Sequence, residues 1–246
     1  TAHARYWRHE SGPGPTVIMI HGFGAESYWL NEWFMGIRQI YELGCDVLAV
    51  TLPFHGPRQN RFSPFSGCGL FAGGIPGINE AFGHAIFDIR CFMNILEEQF
   101  GVTKMGVSGV SLGGYTSALL ACVEPRLEFC IPIVPVASIP DLALEWEPLG
   151  TFVRRVFKHT DHSLEEMRRV LAVTSPLTYQ PAIAPHRLFV IGGVGDRLAP
   201  PKHTRLLWEH WDECRIHWFP GSHLLHLDKQ DYMGEVERFL MEIDFM

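Results

Sequence analysis

Residues 105–120 read MGVSGVSLGGYTSALL, and this stretch decides the fold. A short apolar run carrying Met105 and Val107 arrives at Gly109-Val110-Ser111-Leu112-Gly113, and small residues suited to a helix follow from Gly114. G-x-S-x-G is meaningful where a strand turns sharply into a helix, because the turn lifts the serine hydroxyl off the sheet edge. Glycines on both sides remove the Cβ atoms that would collide at such a bend. A helix starting behind Ser111 aims free N–H groups and the positive end of its dipole at the point where an oxyanion would develop. A glycine-rich turn without chemistry is the competing reading, and only the rest of the chain separates the two.

Outward from that stretch, apolar runs alternate with helical patterns. Thr16–Ile20 (TVIMI), Asp46–Thr51 (DVLAVT), Phe129–Val134 (FCIPIV) and Leu188–Ile191 (LFVI) are near-continuous apolar segments, the pattern of strands buried on both faces. Ala4–His9 and Arg215–Phe219 add two strands, and Pro132 predicts an irregularity in its own. Helices are expected over Ser27–Leu43 with Gly44 as the stop, Asn79–Phe100, His203–Trp211 and Asp231–Ile243. Residues 56–78 are rich in glycine and proline with Phe62, Phe65, Leu70 and Phe71 interleaved, and no regular element is evident there. Residues 138–185 break the alternation; helices separated by turns, inserted between two strands, account for them most simply. Without an internal repeat or linker, the expectation is one parallel-sheet α/β domain over 1–246.

Composition bounds the function. The 246 residues are 47% hydrophobic and 19% charged, as in a globular enzyme-sized domain. A net charge of −7 without a Lys/Arg cluster argues against nucleic acid or anionic membrane as partner. No apolar run approaches the ~18 residues of a membrane span. Six cysteines stand far apart with no C-x-x-C pair, which predicts free thiols and a reducing, cytoplasmic setting. The chain starts at Thr1 and not Met, which is compatible with the removal of an amino-terminal segment.

Serine needs a base to act as a nucleophile at neutral pH, and the base needs an orienting partner. Parallel sheets gather such groups in the loops beyond the strand C-termini. Three residues occupy that position: Ser111, Asp196 after LFVI, and His223 after RIHWF. The order Ser…Asp…His, with His21-Gly22-Phe23-Gly24 following the first buried strand, resembles the α/β-hydrolase family over nearly the whole chain. The resemblance implies an α/β-hydrolase fold and an esterase-like serine hydrolase that works without cofactor or metal. Ser111 would be the nucleophile, His223 the general base and acid, and Asp196 the carboxylate that fixes the imidazole. The backbone N–H groups of Phe23 and Leu112 would form the oxyanion hole, with His21 and Gly22 supporting the first of these loops.

Where the chain departs from the family, expectations change. HGFG is not the H-G-G-G type, so that branch's pocket is not expected. The stretch before His21 holds fewer strands than the full family sheet, which predicts a compact or truncated amino-terminal part. The 138–185 insertion falls where many relatives carry a cap, and a small helical lid is expected there. His226 competes with His223 for the role of base, and Asp141 with Asp196 for the acid. His159-Thr160-Asp161-His162 has ligand-like spacing but reads as a solvated helix end. His55 reads as a turn residue near the site, Tyr115 as packing behind the nucleophile, and His84 with Asp88 as a local polar pair. The expected substrate is a small carboxylic ester with an apolar part. Acyl transfer, thioester or peptide cleavage on the same triad, and a non-catalytic binding role, are the alternatives.

Overall fold

The strand Thr16–Ile20 (β2, after β1 at His3–Trp7) is buried at every position because both of its faces are covered. Period-2 alternation sends Ile18 and Ile20 into one hydrophobic cluster, Val17 and Met19 into another. β3 (Asp46–Thr51) sorts the same way, Leu48 and Val50 against Val47 and Ala49. The structure is a computed structural model and describes residues 1–25, 28–147, 149–159 and 163–246.

Completing the sheet are β4 (Met105–Val110), β5 (Leu127–Ile133), β6 (Phe189–Gly193) and β7 (Arg215–Phe219). The sheet of seven described strands has the order β1-β3-β2-β4-β5-β6-β7. Only β1 runs antiparallel, on β3 at the edge; the other pairings are parallel. β1 stops two residues before the predicted His9 because His9 leaves the ladder: its N–H and ring both engage the buried Asp46 carboxylate, at 2.8 and 2.9 Å. Pro132 lies inside β5 and has no N–H to give. There the ladder to β6 thins to Ile133↔Ile191 and an isolated Cys130↔Leu188 bridge.

Helices cover both faces. The predicted helix over Ser27–Leu43 is two helices, α1 (Tyr28–Met35) and α2 (Ile37–Glu42); Ser27 itself lies outside the described residues. Gly36 separates them at φ 73°, a left-handed conformation that glycine adopts without a Cβ penalty. Residues 56–78 are also more regular than expected. A 3₁₀ turn over Gly56–Arg58 and a short α3 (Gly69–Ala72) precede α4, which runs Gly74–Phe100 and so begins ahead of Asn79. The GIPG start reads as a breaker, yet Pro76 falls in the first turn, where its missing N–H breaks no helical bond.

After β4 comes α5 (Leu112–Val123). Among its described residues, the predicted insertion holds three α-helices, α6 (Ile139–Glu145), α7 (Leu149–His159) and α8 (Leu164–Leu171). Their distal end is tied to the body of the domain. Asn79 on α4 donates to Val170 O at 2.8 Å, and the buried Tyr115 hydroxyl donates to Thr174 O at 2.8 Å. α9 (Pro201–His210) and α10 (Lys229–Glu242) flank β6 and β7. All six cysteines are free, and burial lifts the thiols of Cys45 to about 11 and of Cys122 and Cys214 to about 12. No helix among the described residues is long and apolar enough to cross a membrane.

Candidate active site

The strand order reverses direction at β2: β3 lies on one side of it, β4 on the other. Loops leaving β2 and β4 therefore open a crevice at their C-terminal ends, the place where α/β sheets bind ligands. Ser111 follows β4 and Phe23 follows β2, so both stand at this crevice.

Ser111 has φ 58° and ψ −111°, a conformation L-residues avoid, and it is held there from both sides. Its N–H donates to Ile133 O at 2.9 Å, and its carbonyl accepts from Tyr115 N–H at 3.0 Å. The glycines explain why the sequence tolerates the bend. A Cβ on Gly109 would lie 2.2 Å from Gly113 O, and one on Gly113 would lie 2.1 Å from Ile20 O. The turn is thus folded so tightly onto itself and onto β2 that neither position admits a side chain. α5 begins at Leu112, directly behind the serine.

The β2 loop runs alongside. A Cβ built on Gly22 would sit 3.6 Å from Ser111 Cβ, and Phe23 lines the same cavity as Ser111 and Leu112. His21 sets this loop from inside the protein. Its Nε2 accepts the Leu52 N–H at 3.0 Å, so Nδ1 carries the proton and donates to Gly22 O at 2.8 Å. Burial, with the neighbouring His55 ring adding to it, depresses His21 from 6.5 to about 3, and it is a neutral brace at any working pH. His55 is buried too, donating Nδ1–H to Pro53 O at 2.9 Å beneath the edge of the Phe23 ring.

Asp196 and His223 come together beyond β6 and β7. His223 Nδ1 lies 2.6 Å from Asp196 Oδ2, with both residues buried. The other carboxylate oxygen accepts N–H bonds from Leu198 at 2.8 Å and Ala199 at 2.9 Å, which fixes the carboxylate plane. Backbone bonds stitch the two loops, Gly195 N–H donating to Gly221 O at 2.8 Å and Val194 N–H to Phe219 O at 3.0 Å. With a carboxylate on Nδ1, the imidazole carries its proton there and leaves Nε2 available as a base.

The rival residues have other work. His226 Nδ1 meets the Tyr232 hydroxyl at 3.0 Å and Nε2 meets His223 O at 3.2 Å; its ring packs on Phe219, and burial lowers it to about 4. Asp141 is engaged by Ser138 and Arg168 at the start of α6. His84 lies 3.5 Å from Asp88, whose firmer partner is the buried Arg58 at 2.6 Å. Of the ligand-like His159–His162 run, Thr160, Asp161 and His162 lie outside the described residues. Among the described residues no three His, Cys, Asp or Glu side chains group to hold a metal ion.

An apolar cavity of about 80 Å³ opens at Ser111, walled by Phe23, Phe71, Val136, Leu142 and Trp146. The large apolar residues of 56–78 divide: Phe71 lines the cavity, Leu70 is core, Phe65 packs edge-on to Phe23, and Phe62 is 91% exposed. Two supporting residues escaped the sequence reading. Arg58 bonds Thr51 O and Asp88, pinning the loop after β3 to α4. His203, fully buried on α9, accepts Ala137 N–H at 3.3 Å just behind the Val136 wall. No sequence signal marks either, since the fold alone brings Arg58 to the Thr51 carbonyl and the Asp88 carboxylate, and His203 to the Ala137 and Ser138 N–H groups.

Comparison with known proteins agrees with this architecture. The family model described as alpha/beta hydrolase domain containing 18 matches residues 4–144, a span that holds Phe23, Ser111 and Leu112 but stops before Asp196 and His223. The uncharacterized protein Rv2627c of Mycobacterium tuberculosis is 32% identical over 220 residues, 86% of this chain and 50% of its own length. The chain therefore spans about half the length of the curated relatives it matches. Among solved structures, Est1E from Butyrivibrio proteoclasticus with ferulic acid bound superposes with a TM-score of 0.71 at 18% identity, covering 100% of this chain and 96% of that one. Acetyl xylan esterase 1 from Thermoanaerobacterium gives 0.68 at 19%, covering 98% and 79%. The Pyrococcus furiosus esterase Pf2001 gives 0.64 at 17%, covering 98% and 86%. These likenesses establish the α/β-hydrolase fold.

Proposed function

The chain belongs to the alpha/beta hydrolase domain containing 18 family, and from that premise we propose that it hydrolyses carboxylic esters through an acyl-serine at Ser111. One observation carries the reading. A buried Asp196–His223 pair at 2.6 Å stands in the loops beyond the same sheet edge as a serine held at φ 58° over an apolar cavity. His223 would take the Ser111 proton as the hydroxyl attacks the ester carbonyl, then return it to the departing alkoxide. Asp196 would hold the imidazole in the productive tautomer. The N–H groups of Phe23 and Leu112 would stabilise the tetrahedral oxyanion, each worth about 10²–10³ in kcat. Water, activated by the same histidine, would then release the acid and restore Ser111.

The esterases among the superposable structures support this chemistry, while the low identity leaves the substrate to the cavity itself. The test is reaction with a fluorophosphonate probe, followed by a panel of nitrophenyl esters with Ser111→Ala as control. Ser111 is expected to be labelled, and Ser111→Ala to lose at least 10⁴-fold in kcat/KM. Wild type that is neither labelled nor faster than Ser111→Ala on any ester overturns the reading.

A further inference from the structure

We infer that Trp146 sets the acyl length this site accepts, limiting it to about four carbons. This rests on the ester-hydrolase reading and adds the class of ester. A cavity of roughly 150 Å³ holds benzene, and a water molecule takes a share of roughly 30 Å³. The apolar space of about 80 Å³ at Ser111 accordingly suits about three non-hydrogen atoms beyond the carbonyl carbon, the alkyl part of a butyryl group. A longer chain enters only if a wall residue moves, and Trp146 is the largest side chain on that wall.

Trp146 is not free to swing. Its indole Nε1–H donates to Leu198 O at 2.6 Å. Its backbone is held as well, N–H to Leu142 O at 3.1 Å and carbonyl to Gly150 N–H at 2.6 Å. Gly150 in the first turn of α7 packs directly on the end of α6, since a Cβ there would lie 2.1 Å from Leu144 O. Leu198 is itself committed, because its N–H is one of the two bonds that fix Asp196. Displacing the indole therefore strips the Leu198 carbonyl of a partner in the same loop that aims the acid. Long acyl chains meet both a steric wall and a penalty on the orientation of Asp196. Phe71, which lines the cavity from α3 and packs its ring on Phe23, makes no link to the loop of Asp196.

The experiment compares wild type, Trp146→Ala, Trp146→Leu and Trp146→Phe on nitrophenyl acetate, butyrate, octanoate and laurate, together with labelling by ethyl and octyl fluorophosphonates. Wild type is expected to lose at least tenfold in kcat/KM between butyrate and octanoate. Trp146→Ala and Trp146→Leu are expected to raise the octanoate-to-butyrate ratio at least tenfold, and to speed octyl over ethyl labelling in parallel. Trp146→Phe keeps an aromatic wall but lacks the N–H, so its ratio stays near wild type while both rates fall. An unchanged ratio in whichever of the Ala and Leu variants folds, or a wild type equally fast on octanoate, overturns the inference while leaving the hydrolase reading intact. A wild type that neither labels nor cleaves any ester overturns both.

Discussion

Replacing His21 with leucine tests how the oxyanion loop is held. Leucine fills a similar space but can neither accept nor donate. The buried Leu52 N–H then loses its acceptor and the half-buried Gly22 carbonyl its donor. An unsatisfied buried donor costs about 1–3 kcal/mol and a partly solvated carbonyl about 1, so His21→Leu is expected to destabilise by about 2–4 kcal/mol at pH 7. The pH dependence is more telling. Folding lowers His21 from 6.5 to about 3, so between those values the unfolded chain binds a proton that the folded chain refuses. Wild-type stability is full above 6.5 and falls with pH through this window, whereas the leucine variant has no such loss. At 1.36 kcal/mol per unit, the gap between the two proteins narrows by about 2 kcal/mol at pH 5 and about 3 at pH 4. Urea unfolding followed by tryptophan fluorescence at pH 7, 6, 5 and 4 measures it. A gap that stays constant from pH 7 to pH 5 refutes a buried neutral His21. In parallel, kcat/KM is expected to drop about 10- to 100-fold, part of the loss for deleting a donor outright, because Gly22 and Phe23 lose their brace.

Two further perturbations separate chemistry from support. Asp196→Asn keeps an acceptor for the Leu198 and Ala199 N–H groups but presents the wrong tautomer to His223. It is expected to cost about 10³–10⁴ in kcat with the urea midpoint little changed, and a tenfold loss or less would deny Asp196 its place in the triad. Glu124 lies buried between Arg90 and Arg126, whose guanidinium bonds hold its carboxyl down at about 2. Glu124→Gln is expected to cost about 3 kcal/mol at pH 7, measured by urea unfolding. Since the folded carboxyl is depressed, that contribution is present above pH 4.5 and fades as the pH falls towards 2.

The parts of this molecule legible in its sequence are those set by local chemistry. TVIMI and DVLAVT announce buried strands because only a doubly covered sheet consumes such runs. Gly109 and Gly113 announce the turn because each faces a backbone atom at about 2 Å, a contact that admits glycine alone. Structure departs from sequence pattern where one residue type serves two purposes. Gly36 splits a helix while Met35 and Ile37 on either side keep the apolar pattern running, so periodicity reads straight through it. Gly73-Gly74-Ile75-Pro76-Gly77 carries every breaker signal yet starts α4, since a helix's first turn has no intrahelical bond for proline to break. His9 is extended in propensity but is captured by Asp46, a partner far along the chain that local reading does not register.

The site shows the same division. That Ser111, Asp196 and His223 follow β4, β6 and β7 is legible, because the strands are. The wall opposite the serine is not. Trp146 reads as one more apolar residue in an insertion, and Leu198 as a loop residue beside an acid. Their significance lies in a single 2.6 Å bond that joins the inserted helices to the loop of Asp196. On the inference above, that bond couples pocket length to the orientation of Asp196 at this one position. Replacing Trp146 with a smaller residue is therefore expected to widen the pocket and to loosen the Asp196 loop together, trading acyl range for rate. Trp146→Phe separates the two effects, since it keeps the wall and removes only the bond. A phenylalanine variant as fast as wild type on butyrate would show that the indole acts by bulk alone.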